Sequence, residues 1–218
     1  PKVVSIEQTS NFGGGACWTL DEVKDVRAAA TRHGLALHMD GARLLNAVAA
    51  TGTSAKAFAS ECDSTWIDLS KGLGCPIGAV LVGSKAFIDE SWRWKHQFGG
   101  AMRQAGIVAA AGVHAFQHHV ERLAEDHVNA KRLAQGLMQI PGVEVDPEEP
   151  ETNMVFFDVN GLGMDNYQMS ERLLALGVRI GAGYGPRDLM RAVTHLDVDA
   201  AGIDRALQAV RAVAAGRD

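Results

Sequence analysis

The first 83 residues alternate between short apolar runs and helical segments, and this alternation restricts the possible fold more than any other feature of the chain. Runs that predict strands cover residues 2–7, 35–40, 65–69 and 79–82. Thr19 to Glu22 has the T-x-x-E form of a capping box, so a helix is predicted there, ending at Gly34. Residues 42–50 predict a second helix that ends near Gly52. Strands alternating with helices favour an α/β fold with a mostly parallel, doubly wound sheet.

The chain changes in character after a long helical pattern. Ser84 predicts the start of a helix that runs to about residue 97, and an Ala-rich pattern with glycines that can bend or break it covers residues 104–139. Beyond Pro141, strand-like runs cover residues 143–145, 154–159, 178–180 and 191–195, and helical patterns cover residues 170–176 and 202–213. We therefore expect residues 1–125 to be part of a large domain that ends in a connecting helix, and residues 126–218 to be a smaller α+β domain.

The composition excludes several classes of function. The chain has 47% apolar and 22% charged residues and a formal charge of −5, which is ordinary for a globular protein. No apolar run approaches the roughly 18 residues that a membrane-spanning helix needs. Mild acidity without a long basic run argues against nucleic acid as a partner. Three scattered cysteines predict reduced thiols in a cytoplasmic protein.

Two charged side chains follow neighbouring predicted strands. Asp40 ends one strand and is followed by Gly41-Ala42-Arg43, and Lys71 comes directly after the next. Because ligands bind at the carboxyl ends of strands in such a sheet, we expect these residues to meet at one edge. A lysine amine can form a Schiff base with an aldehyde cofactor, and a carboxylate can keep a pyridine nitrogen protonated. The alternatives are a solvated loop lysine and an ordinary Asp-Gly turn.

Four segments resemble motifs of the threonine aldolases, which are pyridoxal-phosphate enzymes. They are HMDGARLLNA at residues 38–47, SKGLGCPIGA at 70–79, FGGAMRQAG at 98–106 and RAVTHLDV at 191–198. The resemblance implies an α/β, aspartate-aminotransferase-like fold (fold type I of the pyridoxal-phosphate enzymes). It would comprise part of the large doubly wound domain plus a small C-terminal α+β domain.

The resemblance also implies an activity. A threonine aldolase uses pyridoxal 5′-phosphate to cleave a β-hydroxy-α-amino acid, such as threonine, allo-threonine or phenylserine, to glycine and an aldehyde. Two alternatives stay open, namely a related β-eliminating lyase and a catalytically incomplete fragment of such an enzyme. The family further implies a homodimer or homotetramer that acts on a small amino acid substrate.

The resemblance assigns roles to individual residues. Lys71 would hold the cofactor, Asp40 would pair with its pyridine nitrogen, and Arg43 would lie near its phenolic oxygen and the substrate carboxylate. Arg191 would bind that carboxylate through its bidentate guanidinium. Arg103 would bind the phosphate or organise the subunit interface.

The chain departs from the family pattern in two places. His96 stands where family members often carry a lysine before the G-G-x-M-R-Q segment, with Lys95 beside it. This indicates either a one-residue drift at a helix end or a substrate pocket for a different aldehyde, such as a bulky aromatic one. The family's ring-stacking histidine and much of its phosphate-binding loop precede this chain and have no counterpart in it.

The beginning of the chain is unusual. It has no initiator methionine and starts in a run that already predicts a strand. We expect this strand to lie inside a larger sheet and Pro1 to be a cut point, so that the N-terminal part of the large domain is missing.

Two further patterns predict no additional chemistry. His114 and His118 have metal-ligand spacing and His119 adjoins them, but without a glutamate of the H-E-x-x-H form and a third ligand a solvated or interface helix face is favoured. We therefore expect no metal site. Residues 181–185 are rich in glycine but lack a strand-to-helix context, which predicts a loop near Arg191.

Overall fold

The computed structural model describes residues 1–216. These residues divide into two compact units by their contacts. The first unit comprises residues 1–9 and 17–123, and the second comprises residues 10–16 together with the chain from Ala124 onward. The domain division at residue 125 stays a prediction, because it concerns the domains of the intact protein.

The first unit contains a sheet whose strands follow one another in chain order. Its strands are β1 (Val3–Glu7), β2 (Ala36–Asp40), β3 (Ser64–Asp68) and β4 (Ala79–Gly83), and they lie in the order β1-β2-β3-β4. β1 pairs with β2, and β2 with β3, in parallel, whereas β4 pairs with β3 in the antiparallel direction. The predicted strands are therefore present, and the sheet is parallel except at β4.

Helices connect and flank this sheet. They are α1 (Leu20–Arg32), α2 (Leu44–Thr51), α3 (Ala55–Ser60), α4 (Lys85–Gln97) and α5 (Gly106–His118). The predicted capping box is present, because the Thr19 side chain accepts from the backbone of Glu22 and the Glu22 side chain accepts from the backbone of Thr19. Gly52 ends α2 with a φ of 72°, a conformation that favours glycine. The sequence did not predict α3, which is too short to have a clear apolar period.

The core of the first unit lies against one face of β2. Leu37 and Met39 alternate along that strand and are fully buried, as are Val23 of α1 and Phe58 of α3. This alternation follows from the two-residue period of a strand. The buried face fixes the register of β2, and with it the position of Asp40 at the end of the strand.

The second unit has an antiparallel sheet covered by helices. Its strands lie in the order β5-β6-β8-β7 and its elements are α6 (Leu123–Met138), β5 (Glu144–Val145), β6 (Met154–Asp158), α7 (Asn166–Ala175), β7 (Gly181–Tyr184), β8 (Leu189–Val193) and α8 (Ala200–Ala214). Phe157 and Met190 face the apolar core beneath these helices. Met154, Phe156 and Leu189 form a smaller cluster on the other face.

Three predictions about the elements were wrong or incomplete. Residues 178–180 are not a strand, because the Val178 N–H bonds the Leu173 carbonyl at the end of α7 and is not available to a sheet. The glycine-rich stretch predicted as a loop is instead strand β7. The long helical pattern is broken after His118 into α5 and α6. Among the described residues, no helix is long and apolar enough to cross a membrane.

Candidate active site

The carboxyl ends of β2 and β3 bring candidate residues to one edge of the first sheet. The two strands are parallel neighbours, and Asp40 at the end of β2 lies opposite Trp66 of β3. Lys71 follows the end of β3 by three residues. The expected placement of an acidic residue and a lysine at adjacent strand ends is therefore found.

The turn after Asp40 is held closely against β3. The Asp40 Oδ1 atom accepts a hydrogen bond of 3.0 Å from the Ala42 N–H. A Cβ atom at Gly41 would lie 2.4 Å from the Trp66 carbonyl oxygen, so only glycine fits at this close approach. The Arg43 N–H then bonds the Gln8 carbonyl, and α2 begins at the next residue. The D-G-A-R segment is thus fixed by its backbone as well as by its side chains.

Lys71 is paired with a carboxylate that the sequence did not single out. Its Nζ atom donates to Oδ2 of Asp68, the last residue of β3. The same carboxylate accepts from the backbone and the hydroxyl of Ser70, each at 2.7 Å. Burial raises the pKa of Asp68, but the hydrogen bonds from Lys71 and Ser70 outweigh it, so its pKa lies below the ordinary value. The D-x-S-K spacing of residues 68–71 is the signal that could have revealed this pair.

Two further groups lie close to the Lys71–Asp68 pair. The Lys71 Nζ atom lies 5.3 Å from the centre of the Trp66 ring, within the range of a cation–π contact. Arg43 and Asp68 line the same small cavity, with a volume of about 10 Å³. Arg43 is therefore brought to this edge of the sheet. Its predicted contacts with the cofactor and the substrate carboxylate stay predictions.

His96 and Arg103 lie apart from these residues in the described structure. His96 is near the end of α4, exposed, and its ring meets the edge of Trp92 with centroids 5.1 Å apart. Arg103 lies in the exposed turn between α4 and α5, and within residues 1–216 it has no described hydrogen bond or ion pair. Their predicted roles in substrate and phosphate binding stay predictions.

Arg191 lies in the second unit, on β8, and has two partners that the sequence did not indicate. Its Nη1 atom donates to Oδ1 of Asn11 at 2.6 Å. Its Cζ atom lies 4.0 Å from the centre of the Tyr184 ring on β7, within the range of a cation–π contact. No local signal could have revealed the first contact, because 180 residues separate the two side chains along the chain.

The histidines in and directly after α5 contact one another or the backbone. The His114 and His118 rings are 4.4 Å apart between centroids, and the His119 Nδ1 atom lies 2.7 Å from the Leu73 carbonyl oxygen. Within the part of the chain that the structure describes, no group of three or more potential ligands could hold a metal ion.

Comparison with protein families and curated proteins gives consistent matches. A family model described as Beta-eliminating lyase matches residues 1–160. The low specificity L-threonine aldolase of Escherichia coli (strain K12) is 41% identical over 198 residues, which cover 90% of this chain and 56% of that protein. The low-specificity L-threonine aldolase 1 of Arabidopsis thaliana is 37% identical, over 89% of this chain and 54% of its own length. The chain thus spans about half the length of the curated relatives it matches.

Solved structures share the fold. The threonine aldolase of Leishmania major matches with a TM-score of 0.78 at 21% identity, over 98% of this chain and 61% of that one. At this identity the likeness concerns the fold alone. It confirms the expected aspartate-aminotransferase-like α/β fold.

Proposed function

Because the chain belongs to the β-eliminating lyase family, we propose that it acts as a pyridoxal-phosphate-dependent aldehyde-lyase of the threonine aldolase type. The reaction is retro-aldol cleavage of a β-hydroxy-α-amino acid, such as threonine, allo-threonine or phenylserine, to glycine and an aldehyde. The observation that carries this proposal is the pair of adjacent parallel strand ends that present Asp40 and Lys71. The names of the two aldolase relatives support the choice of substrate class.

The residues at this edge fit pyridoxal 5′-phosphate by their chemistry. The Lys71 side chain is 36% exposed, so its amine is accessible to an aldehyde. Within residues 1–216 the Asp40 side chain has one described hydrogen bond, from Ala42 to Oδ1, so Oδ2 can accept from a protonated pyridine nitrogen. When bound, the cofactor supplies an electron sink for the carbanion that forms when the bond between Cα and Cβ breaks.

In the proposed reaction, residues at this edge of the sheet hold the cofactor and place charged groups around it. Lys71 supplies the amine that holds the cofactor, and Asp40 keeps the pyridine nitrogen charged. Asp68 accepts a hydrogen bond from the Lys71 amine and fixes its position, because Ser70 holds the carboxylate in place. Arg43 adds a positive charge at the same edge, where it lines the same small cavity as Asp68.

The remaining candidate residues are proposed to bind the substrate and the cofactor phosphate. Arg191 binds the α-carboxylate of the amino acid, for which a planar guanidinium is well suited. His96 contacts the aldehyde portion of the substrate, and Arg103 binds the cofactor phosphate or organises the interface with another subunit. The exposure of both side chains leaves them accessible for these contacts.

We further propose a homodimer or homotetramer in the cytoplasm. Exposed apolar side chains from the end of α4 to the first turn of α5 support a subunit interface, since Phe98 and Ile107 are each 82% exposed and Met102 is 54% exposed. The cytoplasmic location is supported by the cysteines, none of which forms a disulfide within residues 1–216.

Product analysis tests the activity. The purified protein, supplied with pyridoxal 5′-phosphate, is incubated separately with threonine, phenylserine and a β-substituted alanine. Glycine and an aldehyde are expected from the first two substrates. Pyruvate and ammonia from the third, without aldehyde from the others, would instead establish the β-eliminating alternative.

A lysine variant tests the cofactor site in the same preparation. Lys71→Ala is expected to abolish both the visible absorbance of the bound cofactor and aldehyde release. Lys85→Ala is the matched control, because Lys85 is an exposed residue that pairs only with exposed Asp89 among the described groups. Visible absorbance retained in Lys71→Ala would contradict the assignment of Lys71.

A further inference from the structure

The guanidinium of Arg191 is held from two directions by neutral groups. The Asn11 amide oxygen accepts from Nη1 at 2.6 Å, and the Tyr184 ring lies 4.0 Å from Cζ. Within residues 1–216, no carboxylate forms an ion pair with this arginine. Arg27, Arg132 and Arg187 differ in this respect, because each pairs with an aspartate. The charge of Arg191 is thus oriented by its neighbours without being neutralised.

Asn11 is itself held in place by the segment that carries it. Residues 10–16 close on themselves, since the Ser10 N–H bonds the Ala16 carbonyl and the Gly15 N–H bonds the Ser10 carbonyl, both at 2.9 Å. The buried Thr152 hydroxyl donates to the Gly15 carbonyl at 2.8 Å and fastens the segment within the second unit. The Asn11 side chain therefore acts as a fixed acceptor.

The pairing of β7 with β8 places Tyr184 beside Arg191. Gly181 pairs with Arg191 and Tyr184 pairs with Leu189, so β7 carries the tyrosine alongside the arginine on β8. The Arg191 Nε atom is buried and has no hydrogen-bond partner among the described residues, so the guanidinium is oriented through its terminal nitrogens and its face. Asn11 takes one N–H of Nη1, so the remaining N–H groups of the two terminal nitrogens can receive a carboxylate in a bidentate manner.

We propose that Asn11 and Tyr184 are positioning residues that fix the Arg191 guanidinium for the α-carboxylate of an amino acid. This inference rests on the proposed function and deepens it, since it adds two residues to the recognition of the substrate. A neutral acceptor suits this task, because an aspartate at residue 11 would neutralise the arginine and repel the carboxylate. A tyrosine ring suits it as well, because it restricts the plane of the guanidinium while leaving its edge open.

The test measures the affinity of the cofactor-loaded protein for glycine by titration of its visible absorbance. Asn11→Ala is expected to weaken glycine binding about tenfold, which is the usual effect of losing a hydrogen bond to a charged group. Asn11→Asp is expected to weaken it at least as much although it retains an acceptor. Tyr184→Leu is expected to weaken binding severalfold, and Tyr184→Phe, which retains the ring, is expected to restore most of the affinity.

Two comparisons separate positioning from a general structural effect. The ligand 2-aminoethanol has the amine of glycine but lacks the carboxylate, so its affinity is expected to be unchanged in all four variants. Asn160→Ala is the matched control, because this asparagine lies in the same unit and bonds Asp158. It is expected to bind glycine as the unmodified protein does. In turnover, the variants are expected to raise KM with little change in kcat, since they affect binding of the carboxylate.

Equal losses for glycine and 2-aminoethanol, or normal glycine affinity in Asn11→Asp, would overturn the inference. Failure of the proposed function has a different signature. In that case the unmodified protein would release no aldehyde from any β-hydroxy-α-amino acid, while its affinity for glycine would still depend on Asn11.

Discussion

Lys71 donates a hydrogen bond to Asp68, the residue three positions before it that ends β3. The Asp68 side chain is only 12% exposed, and Ser70 donates to its other oxygen atom. The ion pair thus joins the end of a strand to the lysine that is proposed to hold the cofactor. It also gives the lysine a structural role that can be separated from its chemical one.

Lys71→Arg separates these two roles. Arginine can keep an ion pair with Asp68, but its guanidinium stays protonated and cannot form a Schiff base. We expect this variant to melt within about 2 °C of the unmodified protein, because a single partly exposed ion pair contributes little to stability. The visible absorbance of the bound cofactor is expected to be lost. Absorbance spectra and calorimetry on the same sample check both statements.

Asp63 is expected to make the first unit sensitive to acid. Its carboxylate accepts two hydrogen bonds from Arg27 and one of 2.8 Å from the Leu37 N–H, and these bonds lower its pKa. A carboxyl whose pKa is lower in the folded state stabilises that state above its unfolded pKa of about 3.9, and the contribution is lost as the pH falls through the folded value.

The variant Asp63→Asn tests this dependence. The variant should have a lower melting temperature than the unmodified protein at neutral pH, and its melting temperature should fall less as the pH is lowered from about 5 to about 2. Both effects are expected to be small, because the ion pair is partly exposed. Asp89→Asn serves as the control, since its partner Lys85 is well exposed. Parallel melting curves for Asp63→Asn and the unmodified protein across this pH range would contradict the prediction.

Gly41→Ala is expected to destabilise the edge of the sheet that carries the site. The added Cβ would lie 2.4 Å from the Trp66 carbonyl oxygen, so the backbone of β2 or β3 must shift. We expect a loss of about 2 kcal/mol in the free energy of unfolding, together with weaker cofactor binding. Gly106→Ala is the matched control, because a Cβ there meets no atom within 4 Å. Equal melting temperatures for the two variants would refute the role of Gly41.

Two adjacent leucines of α7 provide a test of the apolar core of the second unit. Leu173 is fully buried, whereas Leu174 is 53% exposed. Leu173→Ala should cost about 2–5 kcal/mol through lost burial and a cavity, and Leu174→Ala should cost less than about 1 kcal/mol. Urea unfolding followed by circular dichroism measures both values. Similar losses in the two variants would mean that the helix packs on a different face.

The sequence by itself determined the elements whose signals are local. The capping box at Thr19, the end of α2 at Gly52 and the alternation in β2 each depend on groups a few residues apart, and the structure has all three. The same local patterns placed Asp40 and Lys71 after neighbouring strands. Parallel pairing then required them to lie at one edge, because the carboxyl ends of parallel strands point the same way.

Only the tertiary structure decided which distant groups meet. Asn11 precedes a run of three glycines that carries no signal of a distant partner, yet residues 10–16 belong to the second unit and Asn11 bonds Arg191. The stretch predicted as a loop at residues 181–185 became β7, because the open edge of β8 offered its backbone a partner. Hydrogen-bond partners across a sheet or a long loop leave no periodic trace in the sequence. Most of the elements and the placement of Asp40 and Lys71 could therefore be predicted from sequence, whereas the contacts that orient Arg191 could not.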